Sequence, residues 1–271
     1  MRRRHRRRAL TTDPWSVLTA RQAEITRGFL TARAAERTHL VIYLSGAHAY
    51  GFPSPDSDLD LKCIHVAPTG DLVGLAHVDE ARDRLEIVDG VELDYGSNEL
   101  GQALRGAIKG NGNFLERLFG ELVLGGDPGL LAEARAVVAP VLSRRVTRHY
   151  GGFATSQLLA FDDKPTAKRA LYVLRTAATG RHLLAHGEIV TDVARLTAFV
   201  PPEIAELIEI KRRAEREALD VAQATAWRVR LAAAIAAVDA ASAASVLPAE
   251  PPPEAIAAVD AWLRDLRKRF W

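Results

Sequence analysis

An α+β fold is predicted by this sequence, with a small mixed β-sheet first and an all-helical region after it. Short runs rich in β-branched and aromatic residues end before residue 96, and hydrophobic residues then recur with helical spacing. The length of 271 residues fits one large domain or two small ones. We therefore expect a sheet-containing domain over 13–142 and a helical domain over 143–271, preceded by a basic, disordered segment at 1–12.

The sheet-containing domain should begin with a helix that leads into two strands. Asp13 and the proline after it are suited to begin an amphipathic helix over 14–37. Strands are predicted over 39–44 and 58–66, where apolar and β-branched residues dominate. Between them, glycines and prolines predict a loop over 45–57.

A hairpin and then helices complete the predicted chain. Asp89-Gly90 is typical of a type I′ turn, which predicts that 85–88 and 91–95 pair as a hairpin. No strand is expected after it. Helices are predicted over 98–109, 114–118, 130–138 and most of the chain after Ser143, with a proline-rich tether at 247–253 before a final helix ending near Phe270.

Composition excludes several classes of protein. Hydrophobic residues make up 48% of the chain and charged residues 26%, a globular balance that excludes a fully disordered protein. The single cysteine, Cys63, excludes a disulfide framework and a multi-cysteine zinc site. The longest apolar run, 231–238, is too short to cross a bilayer, and no apolar signal core follows the basic start. We expect a cytoplasmic protein without a membrane partner.

The basic start has two interpretations. Six arginines lie between residues 2 and 8, and without them 30 basic residues face 34 acidic ones. Such a run can bind nucleic acid phosphates without sequence specificity, in a salt-dependent way. The alternative is a disordered tail of an arginine-rich chain, with no binding role.

Two carboxylates are predicted to lie side by side at the start of the second strand. Asp58 and Asp60 are two residues apart, so their side chains point to one face of a strand. Like charges at this separation call for a cation, and hard oxygen ligands favour Mg²⁺ or Mn²⁺. Asp94 on the hairpin can supply a third acid, and Glu92, which faces the same way, is the rival. An isolated Asp-x-Asp pair is more often made of solvated acids.

The loop before these acids predicts a phosphate site. A strand ending in a glycine turn at Gly46 can direct backbone N–H groups at a phosphate. A nucleoside triphosphate could then be held through two metal ions, with a carboxylate taking the proton from an attacking hydroxyl.

Taken together, the motifs resemble the polymerase-beta superfamily of nucleotidyltransferases. The similarity is closest to bacterial predicted nucleotidyltransferases that include RNA-ligase-associated, RNA-repair members, and it spans about residues 40–190. It is carried by Gly46-Ala47-His48-Ala49-Tyr50-Gly51, Ser54-Pro55-Asp56-Ser57-Asp58-Leu59-Asp60, Asp94, Glu99-Leu100, Lys109-Gly110-Asn111, Phe114-Leu115-Glu116, Arg148-His149-Tyr150-Gly151-Gly152-Phe153-Ala154, Lys168-Arg169-Ala170-Leu171 and Gly187-Glu188-Ile189.

The resemblance implies an activity. Members move a nucleoside monophosphate from a nucleoside triphosphate to a hydroxyl and release pyrophosphate. The favoured acceptor here is RNA, either a 3′ end or a tRNA. A protein acceptor is an alternative, as is a non-catalytic nucleotide-binding or assembly module whose helical half contacts a protein partner. A DNA-binding regulator is less favoured, because no recognition helix is evident.

The resemblance also implies roles for individual residues. Asp58 and Asp60 would bind the metal that carries the triphosphate, all three acids would share the catalytic metal, and Asp94 would orient or deprotonate the acceptor. Gly46 would contact phosphate, with Ser45 as its partner. One position departs from the pattern, because Ala47 stands where the superfamily usually has serine.

Two basic residues of the helical half are candidates for holding the triphosphate. Lys168 and Arg175 lie seven residues apart on a predicted helix. The alternative for both is solvated helix charge.

Overall fold

In the computed structural model, which describes residues 13–55, 57–75, 81–213 and 218–271, five strands form one mixed sheet. The sheet order is β3-β4-β2-β1-β5; β2 and β4 are parallel, and the other neighbours are antiparallel. The predicted α+β class is confirmed. The strands are β1 (Thr38–Leu44), β2 (Leu59–Val66), β3 (Ala81–Val88), β4 (Val91–Glu99) and β5 (Val123–Gly126).

The hairpin between β3 and β4 turns where it was predicted. Val88 pairs with Val91, and both residues between them have positive φ, 49° at Asp89 and 80° at Gly90. A type I′ turn requires this backbone conformation at its two central positions, which asparagine, aspartate and glycine adopt most readily. Both strands are longer than the sequence predicted.

The start of the chain corrects one prediction. Asp13 caps a short 3-10 helix over Pro14–Val17, and the long helix α1 covers Ala20–Glu36. Thr19 begins α1 with a capping box, in which its side chain accepts from the Gln22 backbone while the Gln22 side chain accepts from the Thr19 backbone. This second cap, which the proline signal obscured, separates the two helices.

Two further predictions were wrong. The predicted loop over 45–57 contains the short helix α2 (Gly46–Tyr50), which ends at Gly51 in the left-handed conformation. The expectation of no strand after the hairpin fails at β5, which pairs with β1 at the edge of the sheet. Its four residues include two glycines, so no alternating pattern marked it in the sequence.

Helices cover both faces of the sheet. One buried cluster lies between α1 and the sheet, and a larger one joins the other face to the helices that follow the hairpin. In the described residues no helix is both long and apolar enough to cross a membrane. The remaining helices are α3 (Thr69–Val73), α4 (Leu100–Ile108), α5 (Gly112–Phe119), α6 (Pro128–Val138), α7 (Val146–Asp163), α8 (Ala167–His186), α9 (Ile204–Arg213), α10 (Val221–Ala243) and α11 (Pro253–Arg269).

Candidate active site

Three aspartates meet at one end of the parallel strand pair. Asp60 on β2 and Asp94 on β4 are register partners, and Asp58 lies one residue before β2. One oxygen from each carboxylate lies within 4.8 Å of the others, and all three residues are half-buried. Among the described residues, Glu92 does not join this group. Of the two acids proposed for the third position, Asp94 is therefore the one brought to the pair.

The carboxyl group of Asp60 is electrostatically strained without a cation. Its pKa is raised to about 7, chiefly by burial and also by the Asp58 and Asp94 charges, while the Lys62 and Lys168 charges act in the opposite direction. A divalent cation would relieve this repulsion, and carboxylate oxygens are the ligands that Mg²⁺ and Mn²⁺ prefer. The three aspartates therefore fit such a cation.

The glycine turn contacts the acids directly. The Ser45 backbone N–H donates to the Asp60 carbonyl at 2.8 Å, which joins the end of β1 to the start of β2. Gly46 has a φ of +63°, and a β-carbon there would lie 1.8 Å from Asp60 Oδ2. Only glycine therefore leaves space for the Asp60 carboxylate in this position. Ala47, at the position of the usual serine, is buried.

A cavity of about 190 Å³ opens beside the acids. Ser45 is in its wall, with its hydroxyl 3.3 Å from the Tyr50 hydroxyl. Of the three aspartates only Asp60 lines the cavity; Asp58, Asp94, Lys168 and Arg175 are not in the wall. The wall is formed by Ser45, Gly46, Tyr50, Asp60, Lys62, Asn113, Glu116, Arg117 and Tyr172.

The two basic residues predicted to hold a triphosphate lie in different environments. Lys168 is half-buried, and its charge acts on the Asp60 carboxyl. Arg175 is buried, donates to Glu116 Oε1 at 2.8 Å, and lies 3.6 Å above the Tyr50 ring. The Arg175 guanidinium therefore contacts two residues of the cavity wall, Tyr50 and Glu116, without lining the cavity itself. Its role in binding a nucleotide stays a prediction.

Sequence reasoning missed an aromatic residue between these two. Tyr172 lines the cavity and packs edge-on against Tyr50 at 5.7 Å and Phe52 at 5.9 Å between ring centroids. Lys168, Tyr172 and Arg175 are spaced i, i+4 and i+7 on α8, which places them on one helix face. This helical spacing was the signal in the sequence that could have placed Tyr172 beside the two basic residues.

Lys62 was also missed. It follows Asp60 by two residues, so it shares the face of β2 that carries the acids. Its Nζ donates to Asp94 Oδ1 at 2.7 Å and lies 3.9 Å from Asp60 Oδ1. The alternation Asp58, Asp60, Lys62 was the signal in the sequence.

The helical half holds the loop that precedes Asp58. Lys211 on α9 is fully buried, and its Nζ donates to Ser54 Oγ at 2.9 Å and to Ser57 Oγ at 3.4 Å. The two serine hydroxyls are also 2.9 Å apart. A residue more than 150 positions away therefore fixes this loop. Asp56 of the same motif and the arginine-rich segment 1–12 lie outside the described residues.

Comparison with known proteins gives a family match and two weaker similarities. The sequence model of the RlaP family, described as an RNA repair pathway DNA polymerase beta family, matches residues 24–265. An uncharacterized protein of Methanocaldococcus jannaschii is 26% identical over 156 residues, which are 56% of this chain and 63% of the relative. The match thus spans less than two thirds of that relative's length.

Among solved structures, a nucleotidyltransferase-like protein from Exiguobacterium sibiricum is similar at a TM-score of 0.33 and 11% identity. The similarity covers 91% of this chain and 79% of the other.

Proposed function

Because this chain belongs to the RNA repair pathway DNA polymerase beta family, we propose that it is a metal-dependent enzyme that nucleotidylates RNA. It would move a nucleoside monophosphate from a nucleoside triphosphate to a hydroxyl at an RNA 3′ end or on a tRNA, and release pyrophosphate. The observation that carries this proposal is the meeting of Asp58, Asp60 and Asp94 beside a polar cavity.

The acids have separate roles in this proposal. Asp58 and Asp60 would hold the divalent cation, Mg²⁺ or Mn²⁺, that carries the triphosphate, and all three aspartates would share a second, catalytic cation. The first cation would neutralise charge on the triphosphate. Asp94 is the more exposed of the two register partners: 40% of its side chain is accessible, against 18% for Asp60. The accessible carboxylate is the one suited to orient or deprotonate an acceptor hydroxyl.

The transfer then follows from positioning. The acceptor oxygen attacks the α-phosphorus, the bond from that phosphorus to the bridging oxygen breaks, and pyrophosphate leaves with the electron pair. The proton of the acceptor hydroxyl passes to the Asp94 carboxylate. One phosphorus–oxygen bond forms and one breaks, so the step needs no oxidant or reductant.

The remaining predicted residues bind the nucleotide. Gly46 and Ser45 contact phosphate at the end of β1, where both residues line the cavity. Lys168 attracts the triphosphate from α8. Arg175 contributes through the Tyr50 ring that it covers and through Glu116, both of which line the cavity.

The RNA acceptor is supported by the family description and by the arginine-rich sequence at 2–8. The basic segment can bind the phosphates of many RNA sequences, and such binding weakens as salt increases. A partner protein on the helical half and a location in the cytoplasm are also part of the proposal.

Labelling tests the proposal. Purified protein is incubated with Mg²⁺ and each of four α-phosphate-labelled nucleoside triphosphates, with total RNA and a protein extract present. The control is the Asp58→Asn/Asp60→Asn variant, which keeps side-chain volume and removes charge. Label in RNA that the variant loses supports the proposal.

Other outcomes favour the alternatives. Label in protein would mean that the acceptor is a protein and not RNA. Nucleotide binding without label in either pool, also in Mn²⁺, supports a non-catalytic nucleotide-binding module; Ala47, in place of the usual serine, is the residue that favours it.

A further inference from the structure

Lys62 lies between two of the proposed metal ligands. Its Nζ is 2.7 Å from Asp94 Oδ1, 3.4 Å from the Asp94 carbonyl oxygen and 3.9 Å from Asp60 Oδ1. Its side chain is 23% exposed, so the ammonium is partly withdrawn from water. An ammonium at this position already balances the charge of one carboxylate.

Gly96 on β4 lies opposite Lys62. Lys62 and Gly96 are register partners on β2 and β4, two pairs further along than Asp60 and Asp94. A β-carbon on Gly96 would lie 2.8 Å from Asp83 Oδ1, 3.5 Å from Lys62 Cδ and 3.7 Å from Lys62 Nζ. The lysine side chain therefore passes over Gly96 and reaches Asp94 on the neighbouring strand.

The same position suits a second metal ion. In two-metal sites the ions are about 3.5–4 Å apart and share a bridging carboxylate between them. A cation that bridged Asp60 and Asp94 would have to enter the space that the Lys62 ammonium occupies. Two cations cannot share that space, because their repulsion at contact distance is large.

We propose that Lys62 is a built-in cation that replaces one of the two metal ions, so that the site binds a single divalent ion on Asp58 and Asp60. The inference rests on the proposed function and narrows its metal requirement. Lys62 acts as a positioning residue, because it holds the Asp94 carboxylate in place for the acceptor and itself contacts no reacting atom. The substrate side of the site then carries the metal, and the acceptor side carries the lysine.

Counting bound Mn²⁺ tests this inference without an activity assay. Free Mn²⁺ is followed by electron paramagnetic resonance as it is titrated into the protein without nucleotide. We expect one bound ion in the wild type. In Lys62→Met, which keeps the length and loses the charge, we expect two ions, the second binding at least about tenfold more tightly than in the wild type.

Three further variants make the result decisive. Lys62→Arg keeps the charge and should bind one ion. Lys164→Met removes an exposed lysine at the end of α7 and should bind as the wild type does. Asp58→Asn/Asp60→Asn should bind none, and Mn²⁺ binding unchanged in that variant would overturn the metal site of the proposed function.

Either of two results would contradict the proposed role of Lys62. One is two bound ions in the wild type; the other is the same number of bound ions with the same affinities in the wild type and Lys62→Met. Both would overturn the role of Lys62 while leaving the three aspartates as a metal site. Thermal melting of each variant shows whether it is folded, and if Lys62→Met is not, Lys62→Gln replaces it.

Discussion

Gly46 and Asp60 are in direct contact, since a β-carbon on Gly46 would lie 1.8 Å from Asp60 Oδ2. Gly46 also has a φ of +63°, which disfavours any residue with a β-carbon. The turn after β1 and the acid at the start of β2 are therefore one unit. Any change at Gly46 acts on the proposed metal ligand.

We expect Gly46→Ala to lose most transferase activity and to weaken Mn²⁺ binding, because the added methyl group displaces the Asp60 carboxylate. The strained backbone should lower the free energy of unfolding by about 1–3 kcal/mol. Labelling, Mn²⁺ titration and urea unfolding measure the three effects. Gly28→Ala is the matched control, since Gly28 is on the exposed face of α1 and nothing lies within 4 Å of the added β-carbon; it should be neutral or slightly stabilising.

The pH dependence of stability should report on Asp60. Its pKa is about 7 in the folded, metal-free protein and 3.8 in an unfolded chain, and burial is the main cause of the difference. Between these values the folded state holds the proton more tightly, so stability is fully present below the lower pKa and is lost as pH rises through the upper one.

The measurement is urea unfolding in EDTA at about pH 5 and about pH 8. We expect the wild type to lose more stability over this interval than Asp60→Asn, which cannot ionise at that position. Because metal ions compete with the proton, Mn²⁺ affinity of the wild type should rise over the same interval. Equal pH slopes in the two proteins would contradict the assignment.

The buried pair of Arg175 and Glu116 should be sensitive to removal of one partner. The two side chains are 4% and 5% exposed, and Tyr150 also donates to the Glu116 carboxylate at 3.3 Å. Arg175→Met leaves that carboxylate buried without its cation, which should destabilise the protein by about 3–5 kcal/mol.

The matched variant is Arg175→Met/Glu116→Gln, which removes both charges. Urea unfolding should show that it recovers part of the loss, because no uncompensated charge stays buried. If the double variant is as unstable as the sum of both single changes, the pair is not coupled and this prediction is wrong.

Lys211 should affect activity through the loop that precedes Asp58. Lys211→Met removes the ammonium that holds Ser54 and Ser57, and the loop leading to Asp58 should loosen. A small displacement of a positioned ligand can lower kcat by roughly tenfold to a hundredfold. We expect lower activity and weaker Mn²⁺ binding, with Lys164→Met as the control. Unchanged Mn²⁺ affinity would mean that Lys211 has only a structural role.

Several features of the site could be predicted from the sequence because they depend on local spacing. Side chains two residues apart share a strand face, which put Asp58 and Asp60 together. The Asp89-Gly90 turn identified the hairpin that carries Asp94. The choice of Asp94 over Glu92 could not be made locally, since both face the same way on β4; it depends on the register of β4 against β2.

Other features depended on which elements become neighbours. The pairing of Lys62 with Asp94 requires β2 and β4 to be adjacent and parallel, although β3 separates them in the chain. The burial of Arg175 and the reach of Lys211 depend on how α8 and α9 pack against the sheet. Short-range patterns carry no information about such contacts.

The sequence by itself therefore determined the α+β class, the hairpin and the pairing of Asp58 with Asp60, because side-chain periodicity and turn chemistry act over a few residues. Only the tertiary structure decided that Lys62 lies within the acidic group, that Asp94 is the third acid, that Arg175 is buried against two residues of the cavity wall, and that β5 completes the sheet. These depend on strand register and helix packing, which are set by contacts between residues that are distant in the chain.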